Sequence, residues 1–347
     1  MNVREAVGTF RGHRVPHLSI IPRKKWWFLL SGFFIVLSLV GLFFRHLNLS
    51  IDFKGGAQLQ YALQATGVTA DGIRGTMADF GRPAAEVQIL SGTTVSVRTG
   101  SLNELGDRQQ LLDALAKQAG LGSADEVNVT DIGPSWGSQI SQKMFKGLVI
   151  FLVLVTVYIA FRFEWKMALG AQAALVHDLI ITAGIYALVG REVTPATVIA
   201  ILTILGYSLY DTVVIFDKVK ENTESVALIS KDTYSGVVNL SLNQTLMRSV
   251  NTSLVVLFPI LSLLLFGGVT LKDFAFALFV GVASGTYSSV FVASPILAVL
   301  KEREPKYQQM RARAAARAAS GRQLRVVPAD HELAAAAGGN EIGRAHV

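Results

Sequence analysis

Gly206-Tyr-Ser-Leu-Tyr-Asp-Thr-Val-Val-Ile-Phe-Asp-Lys-Val-Lys-Glu-Asn222 closes an apolar run that opens at Ala196. The run is long enough to cross a bilayer, which takes about 20 apolar residues. Asp211 therefore lies within the hydrocarbon, roughly two helical turns from the end marked by Lys218 and Lys220. A carboxylate at such a depth costs about 2.5–3.5 kcal/mol on insertion scales. Chains accept that cost mainly where the group faces protein and handles protons, ions or substrate. The rest of the sequence reads as the setting for this acid.

Composition agrees with a membrane reading. The 347 residues are 51% hydrophobic and only 16% charged, against about 25% charged in soluble domains. With no cysteine, a disulfide framework and a thiolate metal site are both excluded. The net charge of +7 does not point to nucleic acid, because the basic residues cluster beside the apolar runs. Arg4, Arg11, Arg14, Arg23, Lys24 and Lys25 precede the first run, with Glu5 as the only acid.

Outward from the central run, the pattern predicts six membrane helices, over residues 26–44, 144–161, 167–189, 196–217, 248–266 and 274–300. The first is too long for a cleavable signal and no small-x-small site follows it. Residues 1–25 form a basic N-terminus and 218–247 a polar loop that is helical in part. Residues 301–347, rich in Ala and Arg (Arg311, Arg313, Arg317), read as a solvated, disordered arm. Basic residues mark the cytoplasmic side, so both termini are expected there, near anionic lipid.

Residues 45–140 have a different character. Between Asn48 and Gln142 there are six Lys and Arg against ten Asp and Glu, which suits a solvated unit on the opposite side. Alternation over 58–63, a helix capped at Thr69 or Asp71, a hairpin over 86–90 and 94–99, a helix over 105–119 and a strand over 126–132 give the order βαββαβ. That order predicts a small ferredoxin-like α+β domain. The fold class is thus mainly α and polytopic, with one small α+β domain between the first and second spans.

Intramembrane ionisable groups are few: His177 and Asp178 on the third span, Asp211 on the fourth and Arg248 at the start of the fifth. Helical rise sets the first two about 15 Å deep and Asp211 about 10 Å deep from the same side. All four are expected to meet there. A carboxyl out of water favours its protonated form, and a nearby guanidinium favours the ionised one. Alternating between such surroundings binds and releases a proton, and one proton crossing 100 mV supplies about 2.3 kcal/mol. The same Asp211–Arg248 pair also fits a purely structural ion pair. His177 fits a neighbour's hydrogen bond, and Asp178 a bond to backbone. Tyr207, Ser208 and Thr212 supply hydroxyls near Asp211, and Gly281-x-x-x-Gly285 permits close helix contact. No nucleophile elbow, phosphate loop, zinc spacing or dinucleotide fingerprint occurs, so no enzyme and no cofactor or metal is indicated.

Three stretches carry a family resemblance: Asp52-Phe53-Lys54-Gly55-Gly56 after the first span, the 206–222 run, and Asn243-Gln-Thr-Leu-Met-Arg-Ser-Val-Asn-Thr-Ser253. With His177-Asp178, they resemble motifs of the SecD/SecF family, on its SecF branch. The resemblance runs from Arg23 to Arg303, with Lys218 and Lys220 where Arg is common and Ser249 where Thr is. It implies a translocon accessory subunit of the resistance-nodulation-division superfamily, in the bacterial inner membrane. Such a subunit pairs with SecD, acts beside SecYEG and YajC-type subunits, and uses the proton-motive force to pull unfolded preprotein from the periplasmic side. It further implies proton coupling at Asp211 and Arg248 with the His177-Asp178 pair, and a motif or hinge at Asp52, Phe53, Gly55 and Gly56. A small-molecule or lipid exporter of the same superfamily, and a passive translocon scaffold, are the alternatives.

Overall fold

Why the bundle is helical follows from its solvent. In hydrocarbon every backbone polar group must be satisfied within its own segment, and long Leu, Val, Ile and Phe runs do that as helices. A computed structural model describes residues 16–90, 92–102, 107–224 and 233–324. Among them six helices are long and apolar enough to cross a membrane: Ile21–Phe44, Trp136–Arg162, Trp165–Val189, Pro195–Glu224, Tyr234–Phe266 and Leu271–Glu302. They are called the first to sixth spans below. Half of the apolar window of the third and 56% of that of the sixth are buried, against 11% for the second. The third and sixth therefore form the centre, where polar groups can be kept from lipid.

Small residues bring the central helices together. A methyl group on Gly281 would overlap the Ile204 side chain, and one on Gly285 would lie 2.9 Å from Ser208 Cβ. The Gly281-x-x-x-Gly285 pattern is thus the contact between the sixth and fourth spans. Gly184 against Ser38 plays the same part between the third and first. The sixth span contains a π-helical turn, Ser289–Ala293, just before Pro295. Proline lacks the amide donor and its ring crowds the preceding turn. Ser294 Oγ donates to the Ser289 carbonyl at 3.1 Å across this turn.

The unit between the first two spans has a four-stranded antiparallel sheet. With β1 at Asn48–Leu49, its strands are β2 (Gly56–Ala62), β3 (Glu86–Leu90), β4 (Thr94–Thr99) and β5 (Asn128–Ile132), in the spatial order β3-β4-β2-β5. Gln58 pairs with Arg98 and with Thr130. Helices Ala70–Asp79 and Arg108–Ala119 lay Ile73, Met77, Leu111 and Leu115 on Leu59, Val95 and Val97. Thr69, rather than Asp71, caps the first helix, its Oγ1 accepting from the Gly72 amide at 3.2 Å.

The structure adds to the sequence reading in three places. The polar loop over 218–247 is mostly helix: the fourth span continues to Glu224 and the fifth starts at Tyr234. Asn222 Nδ2 donates to Ser241 Oγ and Gln244 Oε1, each at 2.8 Å, and holds the two extensions together. Residues 225–232 lie outside the described residues. The arm from Lys301 is helical over Pro305–Leu324, as its Ala and Arg content favours, and is anchored by Tyr307 at 4.5 Å from the Tyr234 ring. Its part beyond 324 lies outside the described residues, as do residues 1–15 of the basic N-terminus. Finally β1 pairs in parallel with β6 (Glu192–Val193), a strand pair with no signal in the local sequence.

Gly281→Leu is expected to destabilise the bundle by about 1–3 kcal/mol through overpacking. Gly147→Leu, where a Cβ meets nothing within 4 Å, serves as the control. Thermal unfolding of the purified proteins compares the two, and equal midpoints would contradict the close contact at Gly281.

Candidate functional site

Asp178 is the most enclosed acid of the bundle at 1% exposure. Its Oδ2 accepts from Ser208 Oγ at 2.7 Å and Ser288 Oγ at 2.8 Å. Its Oδ1 accepts from Ser284 Oγ at 2.7 Å and lies 3.2 Å from His177 Nδ1. Third, fourth and sixth spans therefore meet on one carboxyl group. The alternative of a bond to backbone does not apply. Ser284 and Ser288 stand one turn apart on one face of the sixth span, and Gly285 between them admits Ser208. The close helix contact and the polar cluster have a common origin.

Asp211, 7% exposed, sits in a second, poorer cluster. Its Oδ1 accepts from Ser249 Oγ at 2.5 Å. Its Oδ2 is buried without a hydrogen-bond partner. Arg248 is not within ion-pair distance of it. The guanidinium is exposed, and its Nη2 donates to Tyr210 Oη at 3.3 Å. The physical reason is helical phase. Successive residues point about 100° apart, so Asp211 and Ser249 face inward together while Tyr210 and Arg248 face outward together. The four ionisable residues are thus not gathered in one place. His177 and Asp178 touch; Asp211 and Arg248 sit back to back on a pair of outward and inward contacts.

Hydroxyl groups fill the space between. Thr212 Oγ1 donates to Ser289 Oγ at 3.0 Å, and Ser289 Oγ lies 3.2 Å from the Ser208 carbonyl. Tyr207 Oη is 3.0 Å from Ser253 Oγ, which is 2.6 Å from Thr286 Oγ1. Ser208 therefore serves Asp178 rather than Asp211, and Thr212 serves the sixth span. Ser249, Ser284, Ser288 and Ser289 escaped the sequence reading. Ser284 and Ser288 are marked by their four-residue spacing beside Gly281 and Gly285; Ser249, on the fifth span, carries no such signal.

Asp52, Phe53, Gly55 and Gly56 lie apart from these clusters, where the first span hands over to the sheet. Gly55 and Gly56 have φ of +76° and +122°, which favours glycine. A Cβ on Gly56 would stand 2.5 Å from the Thr99 carbonyl oxygen. One on Gly137 would stand 2.6 Å from the Phe53 carbonyl oxygen, so the second span starts directly against the motif. Phe53 packs on the cluster of Tyr186, Val193, Ala200 and Ala277 from the third, fourth and sixth spans and β6. Asp52 Oδ2 accepts from Ser50 Oγ at 3.0 Å. Beside it, buried Arg98 of the sheet reaches Asn48 Oδ1 at 3.1 Å, Glu192 at 3.4 Å and Glu86 at 3.5 Å. Burial pushes the Glu192 carboxyl up from its ordinary value, and the Arg98 charge opposes that rise.

Asp178→Ala leaves three serine hydroxyls without their acceptor, at about 1–3 kcal/mol for each buried donor. Its thermal midpoint is expected to fall well below that of Asp211→Asn, which disturbs a single hydroxyl. The reverse order would contradict the reading of Asp178 as the junction of the bundle.

The chain matches the family described as "Protein export membrane protein SecD/SecF, C-terminal" over residues 112–303 and the "SecD/SecF GG Motif" over 40–66. It is 42% identical over 319 residues to the protein translocase subunit SecF of Streptomyces coelicolor, covering 89% of this chain and 85% of that one. To the subunit of the same name in Mycobacterium tuberculosis it is 38% identical over 340 residues, covering 93% and 75%. Among solved structures it resembles SecDF, a translocon-associated membrane protein from Thermus thermophilus, with a TM-score of 0.74 and 33% identity over 83% of this chain. It spans 39% of that longer chain. SecDF in its super-membrane-facing form gives a TM-score of 0.62 at 31% identity, covering 86% of this chain and 40% of that one. Sequence motifs, the six-helix bundle and these likenesses agree: this multi-pass membrane protein belongs to the SecD/SecF family.

Proposed function

We propose that the chain acts as a SecF-type subunit of the Sec protein translocase and, with SecD, uses the proton-motive force to draw preprotein through SecYEG from the periplasmic side. The observation that carries the energetic part is Asp211. Its carboxyl is out of water, holds one hydroxyl donor at 2.5 Å and keeps Oδ2 unpartnered. A fully bonded carboxylate such as Asp178 is a structural anchor. A half-satisfied one depends on few donors for its charged form, so movement of Ser249 or Arg248 changes which form is favoured. Asp178 and His177 then hold the third span in register beside it rather than carrying the proton alone. No cofactor is needed beyond the gradient.

The need for SecD is supported by the outer face of the same helices. Tyr210, Arg248 and Thr252 are exposed there on otherwise apolar spans. An Arg facing lipid in mid-membrane is costly, so a partner that offers polar groups accounts for this band. YajC-type subunits are further neighbours in this reading.

The distribution of Lys and Arg supports an inner-membrane orientation with both termini cytoplasmic, the basic ends lying against anionic lipid. The sheet unit then faces the periplasm. Its strand order and two helices support a ferredoxin-like domain, tied to the bundle through Arg98, Phe53 and the Gly55-Gly56 turn. Movement of the third and fourth spans about Asp211 would reach it through β6 and Glu192.

The test is Asp211→Asn with SecD and SecYEG in vesicles under an imposed pH gradient, reading preprotein release at the outer face. The variant is expected to assemble normally and to lose gradient-driven release. The loss is up to about 50-fold for each proton coupled to 100 mV, from about 2.3 kcal/mol per charge. Release that still responds fully to the gradient would defeat the proposal and favour a passive scaffold.

A further inference from the structure

Between the first and sixth spans runs a seam whose two ends differ in chemistry. At the end where the first span begins, a cavity of about 620 Å³ is lined by Lys24, Val299, Glu302, Arg303 and Arg311. An adjoining cavity of about 700 Å³ shares Lys24, Glu302 and Arg311. Three cations thus meet one acid, and that acid is already engaged by Lys24 at 3.6 Å and by the Ser235 hydroxyl at 2.5 Å. Arg303 and Arg311 are exposed and form no ion pair among the described residues.

Deeper in the same seam lies an open groove of about 470 Å³, walled by Phe28, Gly32 and Ile35 of the first span and Val292 and Ile296 of the sixth. The third span forms its floor. The polar side chains along it are mostly spoken for: Ser31 Oγ is 3.0 Å from Tyr287 Oη, and Gln172 Oε1 accepts from Thr156 at 3.0 Å. His177 Nε2 is the exception, buried without a hydrogen-bond partner; most of the remaining lining is apolar and suits hydrocarbon.

The cavity and the groove have separate linings but are aligned by helical phase. Lys24, Phe28, Ser31 and Ile35 fall at three- and four-residue intervals, as do Val292, Ile296, Val299 and Arg303, and each set lies on one helix face. A ligand with an anionic head and an apolar tail matches this order, with its head at the depth where a span meets water.

We propose that this seam is a binding site for one anionic phospholipid, with its phosphate at Lys24, Arg303 and Arg311 and an acyl chain in the groove of the first and sixth spans. This deepens the reading of anionic lipid at the basic ends into a defined site. It also has a consequence for the bundle. His177 lies along the groove, and its Nδ1 is 3.2 Å from Asp178, so an acyl chain there keeps water from the Asp178 junction.

The test uses the full chain in nanodiscs of mixed phosphatidylglycerol and phosphatidylethanolamine, with retained lipid counted by native mass spectrometry after transfer to detergent. Wild type is expected to retain phosphatidylglycerol over phosphatidylethanolamine. The triple variant Lys24→Gln, Arg303→Gln, Arg311→Gln is expected to lose that preference by roughly ten-fold or more, given the attraction of each basic side chain for an anionic surface. Gly32→Leu fills the groove at a position where a Cβ meets nothing within 4 Å. It is expected to lose retained lipid with the cations intact, which a soluble phosphate site would not do. No anionic preference in wild type, retention unchanged in both variants, or a partner helix cross-linking to Gly32 in place of lipid would overturn the site. None of these outcomes depends on the export assay with Asp211→Asn, so either proposal can fail alone.

Discussion

A carboxyl group removed from both water and lipid must find donors, and at Asp178 three serine hydroxyls from two neighbouring helices supply them. That requirement organises the bundle. It sets the rotation of the third span, because only one face carries the acid. It sets the separation of the fourth and sixth, because Ser208, Ser284 and Ser288 must reach the same two oxygens. Apolar packing alone leaves helices in a membrane free to slide, since lipid tails are as apolar as leucine. A buried polar junction removes that freedom.

Glycine makes the junction geometrically possible. With a side chain at Gly285, Ser208 is pushed off, and Asp178 loses a donor. The π-helical turn at Ser289–Ala293 belongs to the same account. It lies directly after Ser288, and it changes the phase of the sixth span between the residues that hold Asp178 and the Pro295 segment that leads outward. Asp211 lies on the other side of this seam with one donor, against three serine donors on Asp178.

The second organising contact is at the opposite end, around Arg98. A buried guanidinium on β4 meets Asn48, Glu86 and Glu192, so sheet, first-span linker and the turn between third and fourth spans share one charge. Phe53 and the two glycines after it lock the same corner by packing and backbone shape. The sheet unit and the turn between the third and fourth spans meet here.

Much of this was readable from residue order. The number of spans, the βαββαβ order and the four intramembrane ionisable residues follow from hydropathy and period. These signals are local: lipid demands long apolar helices, and a sheet face demands alternation. That the partly helical 218–247 stretch consists of direct extensions of the fourth and fifth spans was hidden, since it depends on Asn222 and Ser241 pairing. So were the β1–β6 pair and the helix after Pro305. What residue order alone determined is that a costly acid sits in the membrane at positions 178 and 211. Only the tertiary structure decided which acid is fully bonded, which is half free, and that Arg248 turns outward to Tyr210. A hydrogen bond depends on distances between helices far apart in the chain, and a difference of one residue, about 100° of helix, is enough to put a charge on one face or the other.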